Sequence, residues 1–378
     1  MAGPDEPMAS VPAEERAFYV DEFAGAALVV GLAEPDAATV TSVGRAARAL
    51  AGGGSRLVLV VASAGEPARF GPSRGAWDRL MAALPTVPMV LRGPAGAIGA
   101  DWLGDLWLAI TDRHQVVVEV PAGRQSLVAA ELAAALRALK LVVTDPAGGW
   151  GDPPRSFVDV HDPARGFEAE LADRQDGAVV DAVRTALGGG VTSVNLCPAH
   201  RIDEELFTFD GVGSLFTSGD YLRLDALRVD DLPAVEGLVT QGIADGLLRP
   251  RTRPEIARLA VTGLGARVKS SGHLAGLVSL ETAPYEAERL GEVACLYTVS
   301  RFSGAGAGGL LVDGLLAGAA ERGLGGVFAV TVSTAASAFF TRQGFTEVGP
   351  DDVPAAKWQS YDPARKAEAR VFLRPTVT

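Results

Sequence analysis

The 378-residue sequence predicts a mixed α/β protein of two domains, and three observations carry the prediction. Short β-branched runs alternate with segments of helical spacing through the first half, the charge is divided unevenly, and a new mixed pattern begins after Phe216. At roughly 100 to 200 residues per domain, the length accommodates two sizeable cores.

Residues 26–31 (AALVVG) and 56–62 (RLVLVVA) read as buried strands on either side of a helix over 39–51. Further strands are expected at 87–91, 115–120 and 139–144, the last entered from a helix over 126–138. Strands alternating with helices imply a mostly parallel sheet covered on both faces, a three-layer αβα arrangement. A helix over 179–187, the turn Gly188-Gly189-Gly190, a strand over 191–196 and a helix starting near Ile202 complete this half. The boundary is placed within 214–222, where Ser, Thr, Gly and Asp cluster, giving domains of 1–216 and 217–378. Beyond it, 228–248 has helical spacing, 265–268, 275–280 and 292–299 read as strands, and a helix is expected from about Leu310 to Arg322. A strand over 326–333 and a short helix over 335–342 follow.

The chain holds 34 Lys+Arg and 46 Asp+Glu, a formal net charge of −12. Residues 1–216 carry 17 basic and 28 acidic residues, a balance of −11, and residues 217–378 carry 17 and 18, a balance of −1. Such an acidic chain is a poor phosphate-backbone binder, so no nucleic-acid partner is expected. Cys197 and Cys295 are the only cysteines and each lies in or beside an apolar run, which points away from a disulfide framework. The start, MAGPDEPMAS, lacks a basic region followed by an apolar one, and no run of eighteen uncharged apolar residues occurs. A cytoplasmic location without a membrane partner is the expectation. His114, His161, His200 and His273 are scattered singly, so no metal site is expected.

Residues 292–322 (EVACLYTVSRFSGAGAGGLLVDGLLAGAAER) carry the chemistry. An apolar strand enters a loop holding Gly304, Gly306, Gly308 and Gly309, and a helix follows. Glycines let successive backbone N–H groups approach an anion, and a helix N-terminus adds unpaired donors and a favourable dipole. The pattern reads as a pyrophosphate cradle. It lacks the Gly-Lys-Ser/Thr ending of a P-loop, and the strand, helix and Gln343-Gly344-Phe345 that follow are not a dinucleotide-fold order.

That order resembles the GNAT acetyltransferases. Ser303-Gly304-Ala305-Gly306-Ala307-Gly308 is similar to their (Gln/Arg)-x-x-Gly-x-(Gly/Ala) loop at the two small positions. The segments 205–213 (ELFTFDGVG), 292–297 (EVACLY), 339–345 (FFTRQGF) and 353–361 (VPAAKWQSY) further resemble the bacterial N-acetylglutamate synthases, which fuse an amino-acid-kinase-like domain to a GNAT domain. Residues 129–149 (AAELAAALRALKLVVTDPAGG) look like the helix, strand and turn of amino acid kinases. The resemblance is strongest after Gly188 and faint before Gln125. It implies an acetyl-CoA-dependent N-acetyltransferase with a small amine acceptor, glutamate being the family default, and a homo-oligomer built through the first domain.

On that resemblance the cofactor residues are Cys295, Leu296, Tyr297 and Thr298, whose backbone N–H groups would hold the thioester carbonyl, together with Ser303, Gly304, Ala305, Gly306, Ala307, Gly308 and Gly309 around the pyrophosphate. Glu292 is the preferred general base, acting through water, and Tyr361 and Tyr297 are the candidates to protonate the thiolate, because Phe340 stands where many relatives have Tyr. The family places Arg where Ser303 and Ala335 stand, the second one for a substrate carboxylate. Arg251, Arg253 and Lys269 are the candidate replacements, with Ser333 beside the expected acceptor site. The missing guanidinium leaves open a different acceptor, such as an aspartate-like acid or a hydrazino acid; a hydrazine is less basic than an amine and already neutral near pH 7. A non-catalytic CoA-binding or regulatory protein is the alternative of another class. Cys295, in an apolar strand with no neighbouring His, reads as a buried inert thiol. No Lys precedes Lys140, and Gly31-Leu32-Ala33-Glu34 offers no phosphate loop, so the first domain is read as a degenerate kinase-like fold without kinase activity.

Overall fold

The computed structural model describes residues 11–32, 35–63, 74–94, 96–151, 154–161, 177–208, 210–219, 221–269, 272–299, 302, 306–359 and 361–376. Two compact units divide between Tyr221 and Leu222. The sequence boundary after Phe216 cuts the last strand of the first sheet, Ser214–Thr217, because that strand is uniformly buried and carries no turn signal of its own.

In the first unit, eight strands form one sheet: β1 (Ala27–Leu32), β2 (Arg56–Ala62), β3 (Met89–Arg92), β4 (Gln115–Val120), β5 (Lys140–Thr144), β6 (Phe157–Asp159), β7 (Ser193–Cys197) and β8 (Ser214–Thr217). Their order is β3-β4-β2-β1-β5-β7-β8-β6, parallel throughout except between β7 and β8. Successive residues face opposite sides of a strand, so β2 sends Val58 and Val60 into one core and Leu57, Leu59 and Val61 into the other. The helices Ala100–Arg113, Gln125–Leu136 and Gly177–Gly188 cover the first face; Ala13–Glu22, Ala37–Gly52 and Ile202–Phe207 cover the second. The expected three-layer αβα arrangement is observed.

The ELFTFDGVG segment has a structural explanation. Glu205 Oε1 accepts from Asn195 Nδ2, and Oε2 accepts from the backbone N–H groups of Val212 at 2.7 Å and Gly213 at 2.9 Å. Lys140 Nζ donates to Asn195 Oδ1 at 2.9 Å and Ser193 Oγ at 3.1 Å, extending this buried network across β5 and β7. At the N-terminus of Ala37–Gly52, Asp36 Oδ1 accepts from Thr39 N at 2.7 Å. That backbone hydrogen bond, more than any other factor, holds the Asp36 carboxyl below its ordinary range, so the helix end already carries an anion.

In the second unit seven strands form a sheet ordered β14-β15-β13-β12-β11-β10-β9. They are β9 (Leu222–Ala226), β10 (Gly263–Val268), β11 (Leu274–Glu281), β12 (Leu290–Thr298), β13 (Gly326–Thr331), β14 (Thr346–Val348) and β15 (Arg370–Pro375). All neighbours are antiparallel except β12 and β13. The helix Ala307–Glu321 covers one face through Leu311, Val312, Leu315 and Ala319. Gly314 lets it seat against Leu224, whose Cδ2 would lie 2.1 Å from an added Cβ. Leu232–Ala244 and Arg253–Val261 pack on the opposite face, over Leu277, Val278 and Cys295. No helix among the described residues is long and apolar enough to cross a membrane.

Candidate functional site

The parallel pair β12 and β13 matches at only three positions, Leu290 with Gly326, Gly291 with Val327 and Glu292 with Phe328. Beyond Glu292 the strands diverge. β13 stays paired with β15 as far as Thr331, and β12 stays with β11 as far as Thr298, so the edges that face each other across the gap have no strand partner. Unpaired strand edges inside a sheet need a ligand, water or side chains to satisfy them.

β12 also carries a β-bulge. Its register against β11 shifts between Leu277 and Ser279, and Cys295 takes the left-handed conformation with φ of 52°. Such a bulge re-aims the backbone and side chains locally, here along Cys295–Thr298 at the mouth of the fork. The Cys295 thiol is buried, and burial pushes its pKa up while the Arg251 and Arg249 charges oppose the rise. A raised pKa favours the protonated, less nucleophilic thiol near neutral pH.

The helix after β12 starts at Ala307, three residues before the expected Leu310. Gly306 is its N-cap in the left-handed region, with φ of 78°, and no atom of the described residues lies within 4 Å of the place of a Cβ. Leu310 N makes the first intrahelical bond, to Gly306 O at 2.9 Å, so the N–H groups of Ala307, Gly308 and Gly309 have no acceptor within the helix. Gly308 has a second reason to be glycine: a Cβ there would sit 3.1 Å from the Phe339 ring, so its absence lets the Thr334–Arg342 helix approach. Ser303, Gly304 and Ala305 lie outside the described residues.

Glu292 stands on the last paired position before the fork and is buried. Its Oε2 accepts from the Tyr285 hydroxyl at 2.6 Å and its Oε1 pairs with Lys357 Nζ. Burial first, then the Glu292 charge, drives the Tyr285 phenol far above its ordinary pKa. Lys357 Nζ also lies 5.1 Å from the centroid of the Tyr361 ring. Tyr361 is half-buried, and burial pushes its phenol up against the opposing Arg365 charge. Tyr297, in contrast, donates to Asp245 Oδ2 at 2.7 Å, which ties its hydroxyl to the end of the Leu232–Ala244 helix.

The basic residues separate. Arg253 is 77% exposed at its side chain and pairs with Glu236 at 2.6 Å on the outer surface of its helix. Lys269 is exposed on the turn after β10. Arg251 is partly buried, its charge opposes the rise in the Cys295 pKa, and its Nε is buried with no hydrogen-bond partner among the described residues. Arg249 is a further cation whose charge reaches Tyr285, Cys295 and Tyr361. Sequence reasoning missed Arg249, Tyr285 and Lys357; Lys357 lay inside a family landmark (VPAAKWQSY), whereas nothing local marked the other two. Ser333 caps the Thr334–Arg342 helix by accepting from Ala336 N at 3.3 Å. Among the described residues, no group of three or more His, Cys, Asp or Glu side chains is placed to hold a metal ion.

No family model matches the chain. It is 31% identical over 189 residues to an amino-acid acetyltransferase of Ralstonia nicotianae, covering 48% of this chain and 40% of that protein. A second amino-acid acetyltransferase, of Neisseria meningitidis, is 24% identical over 241 residues, 62% of this chain and 53% of that one. The chain thus spans about half the length of the curated relatives it matches. In fold it matches the N-acetylglutamate synthase of Neisseria gonorrhoeae, solved with coenzyme A and L-arginine, at a TM-score of 0.57 and 19% identity, over 97% of this chain and 98% of that one. The chain is similar in sequence to bacterial amino-acid acetyltransferases and shares its fold, over nearly its whole length, with an N-acetylglutamate synthase.

Proposed function

We propose that the second unit transfers acetyl from acetyl-CoA to the amine of a small, carboxylate-bearing amino acid, with glutamate as the default acceptor. The observation that carries this reading is the opening of β12 from β13 beyond Glu292, at the end of β12 that leads into the glycine-capped helix start. A pyrophosphate suits the first-turn N–H groups of Ala307, Gly308 and Gly309, which have no intrahelical partner, where helix dipole and backbone supply attraction without a net positive domain. Acetyl-CoA supplies the acetyl group as a thioester. The unpaired edge of Cys295–Thr298 is suited to hold a carbonyl oxygen as charge builds on it. Glu292 accepts the amine proton through water. Of the two tyrosines expected to return a proton to the thiolate, Tyr361 borders the Lys357–Glu292 pair, whereas the Tyr297 hydroxyl is occupied by Asp245.

Arg251 is the acceptor-carboxylate residue in this reading. A partly buried guanidinium beside the bulge, with an Nε that has no partner among the described residues, is the kind of donor a carboxylate satisfies, and Arg249 adds charge to the same region. Arg253, spent on Glu236, and Ser333, spent on a helix cap, have weaker support. Mass analysis of products formed from acetyl-CoA with glutamate, aspartate and a hydrazino acid identifies the acceptor. An acetylated product is expected, and coenzyme A binding without any acetylated product points instead to the non-catalytic alternative.

The first unit serves assembly rather than phosphoryl transfer. Its edge strand β3 exposes Met89 and Val90, and the nearby helix Ala100–Arg113 exposes Trp107 and Leu108 at 57% and 67%. An apolar edge of this kind is what a second copy would cover. Sedimentation of the full chain is expected to give an oligomer, and a monomer at micromolar concentration would remove this role.

A further inference from the structure

We infer that Lys357 is a positioning residue for Glu292, holding the carboxylate in one orientation at the vertex of the fork. The inference rests on the acetyltransferase reading above.

Glu292 is gripped from two separate segments. Tyr285, on the turn after β11, donates to Oε2 at 2.6 Å, and Lys357, from the C-terminal segment, pairs with Oε1. A carboxylate has about four lone-pair sites on its two oxygens. One donor on each oxygen fixes the plane of the group and still leaves acceptor capacity for a water.

The lysine itself is held. Its backbone N–H donates to Pro354 O at 3.0 Å within a short 3-10 turn, Ala355–Trp358. Neighbouring Trp358 donates from Nε1 to Pro350 O at 2.9 Å and meets the Tyr361 ring edge-on at 5.3 Å. Val353 is buried against Tyr285, Phe328 and Val371, so the segment that delivers Lys357 is packed onto the same strands that form the fork. The side chains of Lys357 and Glu292 are only 13% and 10% exposed. An ammonium desolvated to this degree needs a fixed anion, and a ring face 5.1 Å away takes up part of the remaining charge. Solvent does not set the orientation of Glu292; a buried cation does. A misplacement of about 1 Å in a proton-accepting group is enough to cost roughly 100-fold in rate.

The test is steady-state kinetics on the full chain with Lys357→Met, Lys357→Arg, Glu292→Gln and the Glu292→Gln/Lys357→Met double variant. If Lys357 acts through Glu292, Lys357→Met lowers kcat by roughly tenfold or more with KM for acetyl-CoA changed less than about twofold. Lys357→Arg then restores most of kcat, and the double variant is no slower than Glu292→Gln alone. The double variant also removes both charges together, which guards against a fold lost to one unpaired buried ion. Unchanged kcat in Lys357→Met, or an equal loss in both Glu292 backgrounds, overturns the inference while leaving the acetyltransferase reading in place. A wild-type chain that acetylates no amine defeats that reading and this inference with it.

Discussion

The Tyr285 hydroxyl donates to Glu292 at 2.6 Å where the β12 and β13 strands part company. The bond links a residue of the β11–β12 turn to the carboxylate at the vertex of the fork, and both partners are buried. Hydrogen bonds to charged groups contribute about 1.5 to 3 kcal/mol, so Tyr285→Phe is expected to lower unfolding free energy by about 2 kcal/mol. Urea unfolding measures it. A loss under about 0.5 kcal/mol would mean that water replaces the phenol without cost.

The glycine cap gives a binding prediction. Gly306→Asp places a carboxylate at the start of the Ala307–Glu321 helix, in a left-handed conformation that Asp tolerates better than most residues. The helix is retained while an anion is repelled. Coenzyme A affinity is expected to fall by roughly tenfold or more, about 1.4 kcal/mol, with unfolding little changed. Calorimetric titration returning the wild-type Kd would place the pyrophosphate elsewhere.

Arg251 and Arg253 are two residues apart and are expected to behave differently. Arg251→Met removes the guanidinium with the buried unpaired Nε, so KM for the acceptor is expected to rise by roughly tenfold, with KM for acetyl-CoA unchanged. Arg253→Met removes an exposed pair with Glu236 and is expected to leave both constants within about twofold. The reverse ranking would move the carboxylate site to the outer face of the helix.

Alkaline pH acts on this unit in a defined direction. Cys295, Tyr285 and Tyr361 all have pKa values raised in the folded chain, by burial first in each case. The folded state therefore holds these protons more tightly than the unfolded one. Their stabilising contribution is complete below the unfolded values, about 8.5 for Cys and 10 for Tyr, and is lost as pH rises beyond them. The melting temperature is expected to fall between about pH 8.5 and 11. A Tm that is flat or rising over that range contradicts the direction of these shifts.

The alternation of apolar runs and helical spacing was enough to read the first sheet, because β1, β2, β4, β5 and β7 are central strands buried on both faces and therefore uniformly apolar. β9 (LRLDA) and β14 (TEV) escaped notice because they lie at sheet edges, where polar residues face solvent. The Arg253–Val261 helix was missed although Thr252 and Glu255 form a capping box at its start, a signal the sequence did contain. At the site, the glycine loop was legible because backbone chemistry leaves a compositional trace. The grip on Glu292 was not, since Tyr285 and Lys357 stand 7 and 65 residues from it and only folding brings them together. The sequence reads Gly308 as serving the anion alone, and its packing against Phe339 depends on a helix whose position no local pattern specifies.

Free-thiol release from acetyl-CoA by the full chain, followed with and without an amino acid acceptor, tests the central claim most directly. Release is expected to depend on the amine, to match acetylated product one for one, and to fall at sub-saturating acetyl-CoA when Gly306→Asp weakens cofactor binding. Coenzyme A binding of normal affinity with no amine-dependent release, across glutamate, aspartate and hydrazino acids, would contradict it.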